Sequence, residues 1–172
     1  MSDSRPGTET RSSSPEETRA VGAVLARLLR PGDMVLLAGD LGAGKTTFTQ
    51  GLAAALGVRD QVTSPTFTLV RPYSCASGDV HTLLHADLYR LDRLAEVRDL
   101  ALDELVEDGA VAVVEWGDVG APVLEPDALV VHIDTDPDDT RRLSVAFPAG
   151  RDEDAAAFGR SLAGPASSRT RA

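Results

Sequence analysis

The chain has 172 residues, 42% of them hydrophobic, and a single cysteine, which allows a domain with a sizeable core but excludes an internal disulfide and a cysteine-cluster zinc site. Its formal net charge of −10 disfavours direct binding of free nucleic acid, because no basic run offsets it. No apolar run approaches the roughly 20 residues that cross a membrane, and the N-terminus lacks the apolar segment of a secretory signal. We therefore expect a cytoplasmic protein without a membrane partner.

The N-terminal part of the chain predicts a polar tail followed by a helix. Residues 1–13 are polar and lack periodicity, so we expect them to be disordered. Ser14 is placed to cap a helix, with Pro15 in its first turn and Glu17 completing a capping box. The apolar run at 34–39 then predicts a buried strand, and a second helix is expected from Lys45 to about Leu56.

The remainder of the chain alternates between strand and helix patterns. We expect a hairpin of strands, a helix with an apolar face, a strand covered on both faces, and a final strand pair. The apolar face of the helix carries Leu94, Val97, Leu100, Ala101 and Leu105. These elements fall at 67–73 and 81–89, 93–108, 110–116, and 128–133 and 141–147. Residues 150–172 read as a flexible tail, which leaves one predicted domain at 14–149.

The strongest motif is GDLGAGKTT at residues 39–47, which matches the phosphate-loop pattern G-x-x-x-x-G-K-[ST] between a strand and a helix. Lys45, the only lysine among 17 basic residues, is expected to reach the β- and γ-phosphates, and Thr46 to ligate Mg²⁺. The alternative is a glycine-rich turn without a ligand. The predicted nucleotide-binding residues are Gly39, Asp40, Leu41, Gly42, Ala43, Gly44, Lys45, Thr46 and Thr47.

A second carboxylate is expected at the metal, at the end of a buried strand beside the loop. Glu115 follows AVAVV and is the best candidate; a charge that meets solvent at a strand end is the alternative. Trp116 follows it, and composition alone favours a packing role for this side chain.

The strand containing LLHADLY places His85, Asp87 and Tyr89 on one face by simple alternation. Asp87 could orient the attacking water or hold the metal through water, whereas a solvated strand face explains the same pattern. His85 alone is more often a structural residue. The segment TSPTF, with Ser64 and Thr66, lies where nucleotide switches often place a threonine that senses the γ-phosphate, although the sequence alone favours a Ser-Pro turn that starts a strand.

The sequence constrains the identity of the bound nucleobase and the class of reaction less strongly. The chain lacks an N-K-x-D guanine motif, which leaves ATP as the expected nucleotide. A small-molecule kinase remains an alternative, although no separate lid insertion is visible. A nucleotide sensor without turnover is a second alternative.

Four motifs taken together, GDLGAGKTTF, SPTFTLVRPY, HADLYRL and VEWGD, resemble the bacterial TsaE (YjeE) family in order and spacing over about residues 14–147. The resemblance implies an α/β P-loop NTPase fold, with a central parallel sheet, flanking antiparallel strands and helices on both faces. It also implies an ATPase required for threonylcarbamoyladenosine formation at adenosine 37 of tRNAs that read ANN codons.

The resemblance further assigns residues and partners. It implies that Thr46 and Glu115 hold Mg²⁺, that Thr66 lies in a switch-like loop, and that Asp87 and Trp116 matter for activity. Thr18 is the nearest match to the family's contact near the adenine. The implied partner is a TsaB–TsaD heterodimer, so that tRNA would be engaged only indirectly.

Overall fold

The computed structural model describes residues 7–65, 70–88, 101–116 and 127–164. Within these ranges the strands form one sheet in the order β1-β7-β6-β2-β5-β4-β3. Strands β6, β2, β5 and β4 are parallel, and β7, β1 and β3 extend the sheet in antiparallel pairs. The strand bounds are β1 Thr8–Ser12, β2 Met34–Ala38, β3 Val70–Ser74, β4 Thr82–Asp87, β5 Val111–Glu115, β6 Leu129–Thr135 and β7 Arg141–Ala146.

Helices cover both faces of this sheet, and the predicted fold class is confirmed. Helices α1, α2 and α4 pack on one face with the larger apolar core, and the short α3 packs on the other with a second core. Strand β5 shows why both cores form, because Val113 faces the first and Val114 faces the second. The helix bounds are α1 Pro15–Ala26, α2 Lys45–Ala55, α3 Leu102–Glu107 and α4 Asp152–Ala163. No helix of the described ranges is long and apolar enough to cross a membrane.

The predicted start of α1 is confirmed, with one difference at its cap. The Ser14 side chain accepts a hydrogen bond from the Glu17 N–H. The Glu17 carboxylate reaches one residue further back than a capping box requires, and accepts from the N–H and the hydroxyl of Ser13 at 2.6 and 2.9 Å. These bonds, the backbone one first, lower the pKa of Glu17.

The prediction of a disordered N-terminus is wrong for residues 8–12, which form β1. This strand pairs with β7 from Thr8 opposite Val145 to Ser12 opposite Arg141. Backbone hydrogen bonds make this pairing, and of its side chains only Ser12 is buried, so the strand carries no apolar alternation that a pattern could reveal. Residues 1–6 lie outside the described ranges.

The prediction of a flexible C-terminus is wrong for residues 152–163, which form α4. Phe158 is fully buried, and its ring centroid lies 5.9 Å from that of Phe147. Just before the helix, Arg151 pairs with Asp33 at 2.9 Å and also with Asp154. The buried Phe158 ring and the ion pairs of Arg151 therefore hold this helix against the rest of the protein. The Ala- and Arg-rich sequence of the segment lacks the apolar periodicity that would have predicted a helix.

The helix expected at 93–108 is not continuous. Ala101 adopts a left-handed conformation with φ of +50°, and α3 begins at the next residue. Leu102 and Val106 are the buried side chains of α3, whereas Leu105 is 40% exposed. Of the predicted apolar face, Ala101 and Leu105 are therefore not buried, and Ala101 lies before the helix rather than within it. Leu94, Val97 and Leu100 lie outside the described residues.

Two glycines bring the backbones of α1 and α2 into close contact. A Cβ atom at Gly51 would lie 2.0 Å from the carbonyl oxygen of Arg19, and one at Gly22 would lie 2.3 Å from that of Phe48. Any side chain at either position would push the helices apart, since backbone atoms cannot yield as a flexible side chain can. The helix that follows the phosphate loop is thus seated directly on α1.

We expect Gly51→Ala to lower the free energy of unfolding by at least about 2 kcal/mol through overpacking. Gly159→Ala is the matched control, because Gly159 is also inside a helix but its added Cβ would lie 3.8 Å from the nearest atom. That control should gain about 0.5–1 kcal/mol from helix propensity. Urea unfolding of both variants measures the difference, and equal effects would contradict the close packing.

Candidate nucleotide-binding site

The loop between β2 and α2 has the backbone of a phosphate cradle. Gly39, Gly42 and Gly44 have φ angles of +151°, +78° and +109°, which L side chains rarely adopt. Among the described atoms none lies within 4 Å of a Cβ built at Gly42, so the loop leaves room for a ligand there. Gly44 caps α2 without a side chain, and the first N–H groups of this helix can therefore face an anion.

The phosphate loop encloses the side chain of Lys45. Its side chain is mostly buried, and the residue is 5% exposed. The ammonium nitrogen Nζ donates to the carbonyl oxygens of Gly39 at 2.7 Å and Asp40 at 2.9 Å. A compact cation on a flexible stem fits between these two carbonyl oxygens, whereas the guanidinium of an arginine is larger and has a fixed planar geometry.

Trp116 packs on this same ammonium. Nζ of Lys45 lies 3.9 Å from the centroid of the indole ring, within the range of a cation–π interaction. Trp116 also packs against the core on the α3 side of the sheet, and it has a φ of +61° directly after β5. The packing role expected from composition is therefore confirmed, and the contact with Lys45 adds a link to the loop.

Thr46 and Glu115 meet as the sequence predicted. The Thr46 hydroxyl donates to Oε1 of Glu115 at 2.9 Å. Glu115 ends β5 beside β2, opposite Leu37 in the parallel register, and its side chain is 4% exposed. The alternative of a solvent-facing strand end is therefore wrong. Two oxygens from a threonine and a carboxylate suit a hard cation such as Mg²⁺, which needs few protein ligands.

The polar face of β4 is directed into the site. Asp87 lies opposite Glu115 in the register of β4 and β5, and His85 is fully buried with Nε2 2.9 Å from Oε1 of Glu115. The solvated-face alternative is wrong at His85, because α2 and the first core cover this side of the sheet. Tyr89 lies outside the described residues. Sequence reasoning set His85 aside, since alternation cannot tell a covered polar face from an open one.

The segment after α2 is tied to Asp87. The Ser64 hydroxyl donates to Oδ2 of Asp87 at 2.8 Å, and the side-chain amide of Gln50 donates to the carbonyl oxygen of Val62 at 3.0 Å. The predicted switch residue Ser64 thus contacts one of the predicted catalytic carboxylates. Thr66, the other predicted switch residue, lies outside the described residues.

A cleft of about 240 Å³ adjoins the loop on the side of α1. Thr18 lines it, and its hydroxyl shares a 2.7 Å hydrogen bond with that of Ser12. Arg141 lines it as well and donates from Nε to the carbonyl oxygen of Ala43 at 3.0 Å. The cleft is lined by Ser12, Ser13, Ser14, Pro15, Thr18, Gly42, Ala43, Gly44, Thr47, Asp139 and Arg141.

Ser12, Asp139 and Arg141 were not predicted as site residues. Ser12 ends β1, Arg141 begins β7, and Asp139 lies in the turn between β6 and β7. All three are far in sequence from the loop, and nothing in their own neighbourhoods signals a role at the cleft. The pairing of β1 with β7 is what places Ser12 beside Thr18. The missed role of Ser12 therefore follows from the missed strand β1, whereas those of Asp139 and Arg141 depend on how a predicted strand pair is placed against the loop.

Comparison with known proteins agrees with this geometry. The family model "Threonylcarbamoyl adenosine biosynthesis protein TsaE" matches residues 12–143. The chain is 50% identical to a tRNA threonylcarbamoyladenosine biosynthesis protein TsaE of Streptomyces coelicolor, over 71% of this chain and 82% of that protein. It is 40% identical to the protein of that name from Bacillus subtilis, over 83% and 87% of the two chains.

A solved structure extends the comparison to the fold. The crystal structure of Bacillus subtilis YdiB superposes with a TM-score of 0.75 and 33% sequence identity, covering 94% of this chain and 97% of that one. The family model spans most of the sheet and the whole phosphate loop. The chain therefore belongs to the TsaE family, whose members take part in tRNA threonylcarbamoyladenosine biosynthesis.

Proposed function

We propose that this protein is a Mg²⁺-dependent ATPase that supports threonylcarbamoyladenosine formation on tRNA. The observation that carries the proposal is the Thr46–Glu115 contact at the mouth of a phosphate loop that holds Lys45, in a chain of the TsaE family. Lys45 and the loop N–H groups would hold the phosphates, and Thr46 and Glu115 would hold Mg²⁺. The bound cation would neutralise charge that develops on the phosphates.

Asp87 is proposed as the residue that orients the attacking water. It lies opposite Glu115 on the adjacent strand, and a carboxylate there could accept a hydrogen bond from a water that attacks a bound phosphate. Its hydrogen bond with Ser64 links this role to the segment after α2. Movement of that segment would then change the surroundings of Asp87, as a nucleotide-sensing switch requires.

The base and sugar are proposed to occupy the cleft beside α1. It adjoins the loop at Gly42–Gly44 and presents hydroxyl and guanidinium groups from Ser12, Thr18 and Arg141. Its volume of about 240 Å³ is of the size needed for part of a nucleotide. ATP is the proposed nucleotide because the sequence lacks the guanine-recognition motif.

The proposed partner is a TsaB–TsaD-like heterodimer, with tRNA engaged only indirectly and in the cytoplasm. A net charge of −10 disfavours direct binding of this protein to the phosphates of tRNA. Leu41 is 78% exposed on the phosphate loop and offers an apolar contact to a protein that reads the nucleotide state. The ATP-bound and ADP-bound forms would differ in their affinity for the partner. That difference in affinity would drive the conformational change that resets the partner complex.

Reconstitution tests this function. We expect multiple-turnover threonylcarbamoylation of tRNA by a TsaB–TsaD complex to require the wild-type protein and to stop with Lys45→Ala. Nucleoside mass spectrometry measures the product. Equal yields with wild-type protein, with the variant and with neither would refute the proposed function. Transfer of labelled γ-phosphate to a metabolite rather than to water would instead indicate a kinase.

The single tryptophan of the chain reports on nucleotide binding. If Lys45 turns from the indole ring toward bound phosphates, Trp116 loses a cation from its face and its emission should change saturably with ATP. Fluorescence titration measures this change, and Lys45→Ala should not show it. A wild-type protein that binds ATP by calorimetry with constant emission would contradict the expected movement of Lys45.

A further inference from the structure

His85 makes a buried hydrogen bond that the proposed roles leave unexplained. The residue is fully buried in β4, and Nε2 lies 2.9 Å from Oε1 of Glu115, whose side chain is 4% exposed. Burial of a polar ring is costly unless it is hydrogen-bonded. The contact with Glu115 meets that requirement at one ring nitrogen and places it on the proposed Mg²⁺ ligand.

The direction of this hydrogen bond follows from the chemistry of its two ends. An ionised carboxylate only accepts, so Nε2 of His85 must donate. Within the described residues Nδ1 is buried without a hydrogen-bond partner. A neutral ring with its hydrogen on Nε2 leaves a lone pair at Nδ1, which avoids stranding a buried N–H group there. The ring is thus a fixed donor aimed at one oxygen.

Glu115 Oε1 accepts two hydrogen bonds that differ in permanence. The bond from Thr46 comes from the phosphate loop, and the Thr46 hydroxyl would be redirected when it ligates Mg²⁺. The bond from His85 comes from the neighbouring strand, where the parallel register sets His85 opposite Val113, two residues before Glu115. Strand pairing keeps this donor in place whatever the loop does.

We propose that His85 is a positioning residue that holds the Glu115 carboxylate in the orientation needed to bind Mg²⁺ with ATP. This inference rests on the proposed function, since it assigns Glu115 as the metal ligand. Hydrogen-bond partners of metal ligands commonly set ligand orientation, and their loss costs roughly 10- to 100-fold in metal affinity. In this role His85 acts through its hydrogen bond to Glu115.

Two amide substitutions separate positioning from packing. In His85→Gln the side-chain NH₂ can reach the place of Nε2, whereas in His85→Asn it falls near Nδ1 and cannot reach Glu115. Calorimetry with ATP in Mg²⁺ and in EDTA gives the Mg²⁺-dependent gain in affinity. We expect His85→Asn to reduce that gain by roughly 10- to 100-fold, with affinity in EDTA unchanged, and His85→Gln to restore most of it.

Tyr73→Phe is the control for disturbance of the sheet. Tyr73 is buried in β3 opposite Leu83 of β4, and its hydroxyl has no hydrogen-bond partner in the described residues. The Tyr73→Phe variant should keep the full Mg²⁺-dependent gain in ATP affinity. Equal losses in Mg²⁺ and EDTA for His85→Asn would overturn the proposal in favour of a structural role. No gain even for wild-type protein would refute the proposed function itself.

Wild-type protein provides a test that does not depend on variant folding. The chain has three histidines, so long-range ¹H–¹⁵N spectra can assign their ring nitrogens. We expect a hydrogen on Nε2 of His85, and a shift of this nitrogen when Mg²⁺ is added to the ATP-bound protein. A ring with its hydrogen on Nδ1 alone would overturn the proposal even if both amide variants failed to fold.

Discussion

Replacing Lys45 by alanine should lower ATP affinity by about 100-fold or more. A charge-assisted hydrogen bond contributes about 1.5–3 kcal/mol, and an ammonium that reaches two phosphate groups makes at least two, which corresponds to a factor of about 100 or more. The chain has no second lysine to replace it. Isothermal titration calorimetry with Mg²⁺ present measures the loss.

Arg142→Ala is the matched control for the loss of one positive charge. Its side chain is 47% exposed and pairs with the carboxylates of Asp134 and Asp136. Both variants lower the formal net charge equally, so a general charge effect would weaken ATP binding in both. Lys45→Arg should fail to restore binding, because the planar guanidinium does not fit the loop that encloses Nζ. Wild-type affinity in Lys45→Ala would refute the phosphate-loop assignment.

Glu115→Gln should remove the Mg²⁺-dependent part of ATP binding while leaving the protein folded. The amide keeps the size of the carboxylate, but it is a weaker ligand for a hard cation. We therefore expect ATP affinity in Mg²⁺ to fall to about the value in EDTA, a loss of roughly 10-fold or more for a ligand at the cation. Paired titrations in Mg²⁺ and EDTA measure it.

Glu107→Gln serves as the control, since Glu107 is an exposed carboxylate at the end of α3. Its Mg²⁺-dependent gain should match that of wild-type protein. A Glu115→Gln variant that retains the full gain would exclude Glu115 as a metal ligand. Such a result would leave Thr46 without its carboxylate partner and redirect attention to Asp87 on the adjacent strand.

The centre of the fold and the loop were predictable because their signals are local. Glycines that require positive φ, one lysine and a following threonine stand next to each other, and the buried strand before Glu115 is a continuous apolar run. The contact of Thr46 with Glu115 then follows from parallel strands whose carboxyl ends share one edge of the sheet.

The unpredicted parts depend on contacts between distant segments. Strand β1 has no apolar alternation and exists through pairing with β7, and α4 is fixed mainly by Phe158 and the cluster around Arg151. His85 is buried because α2 covers its face of the sheet, and no pattern within β4 reveals that cover. Arg141 reaches Ala43 across the fold, so its place at the cleft could not be read from its neighbours.

The pairing of β1 with β7 has a practical consequence for shortened forms of this protein. A chain that began at residue 13 would lack the strand that completes this border of the sheet, and the backbone groups of β7 would be open to pairing with other molecules. Such a form should self-associate and precipitate more readily than the full chain. It would also lack Ser12 beside Thr18, so weak ATP binding by it would say little about the intact protein.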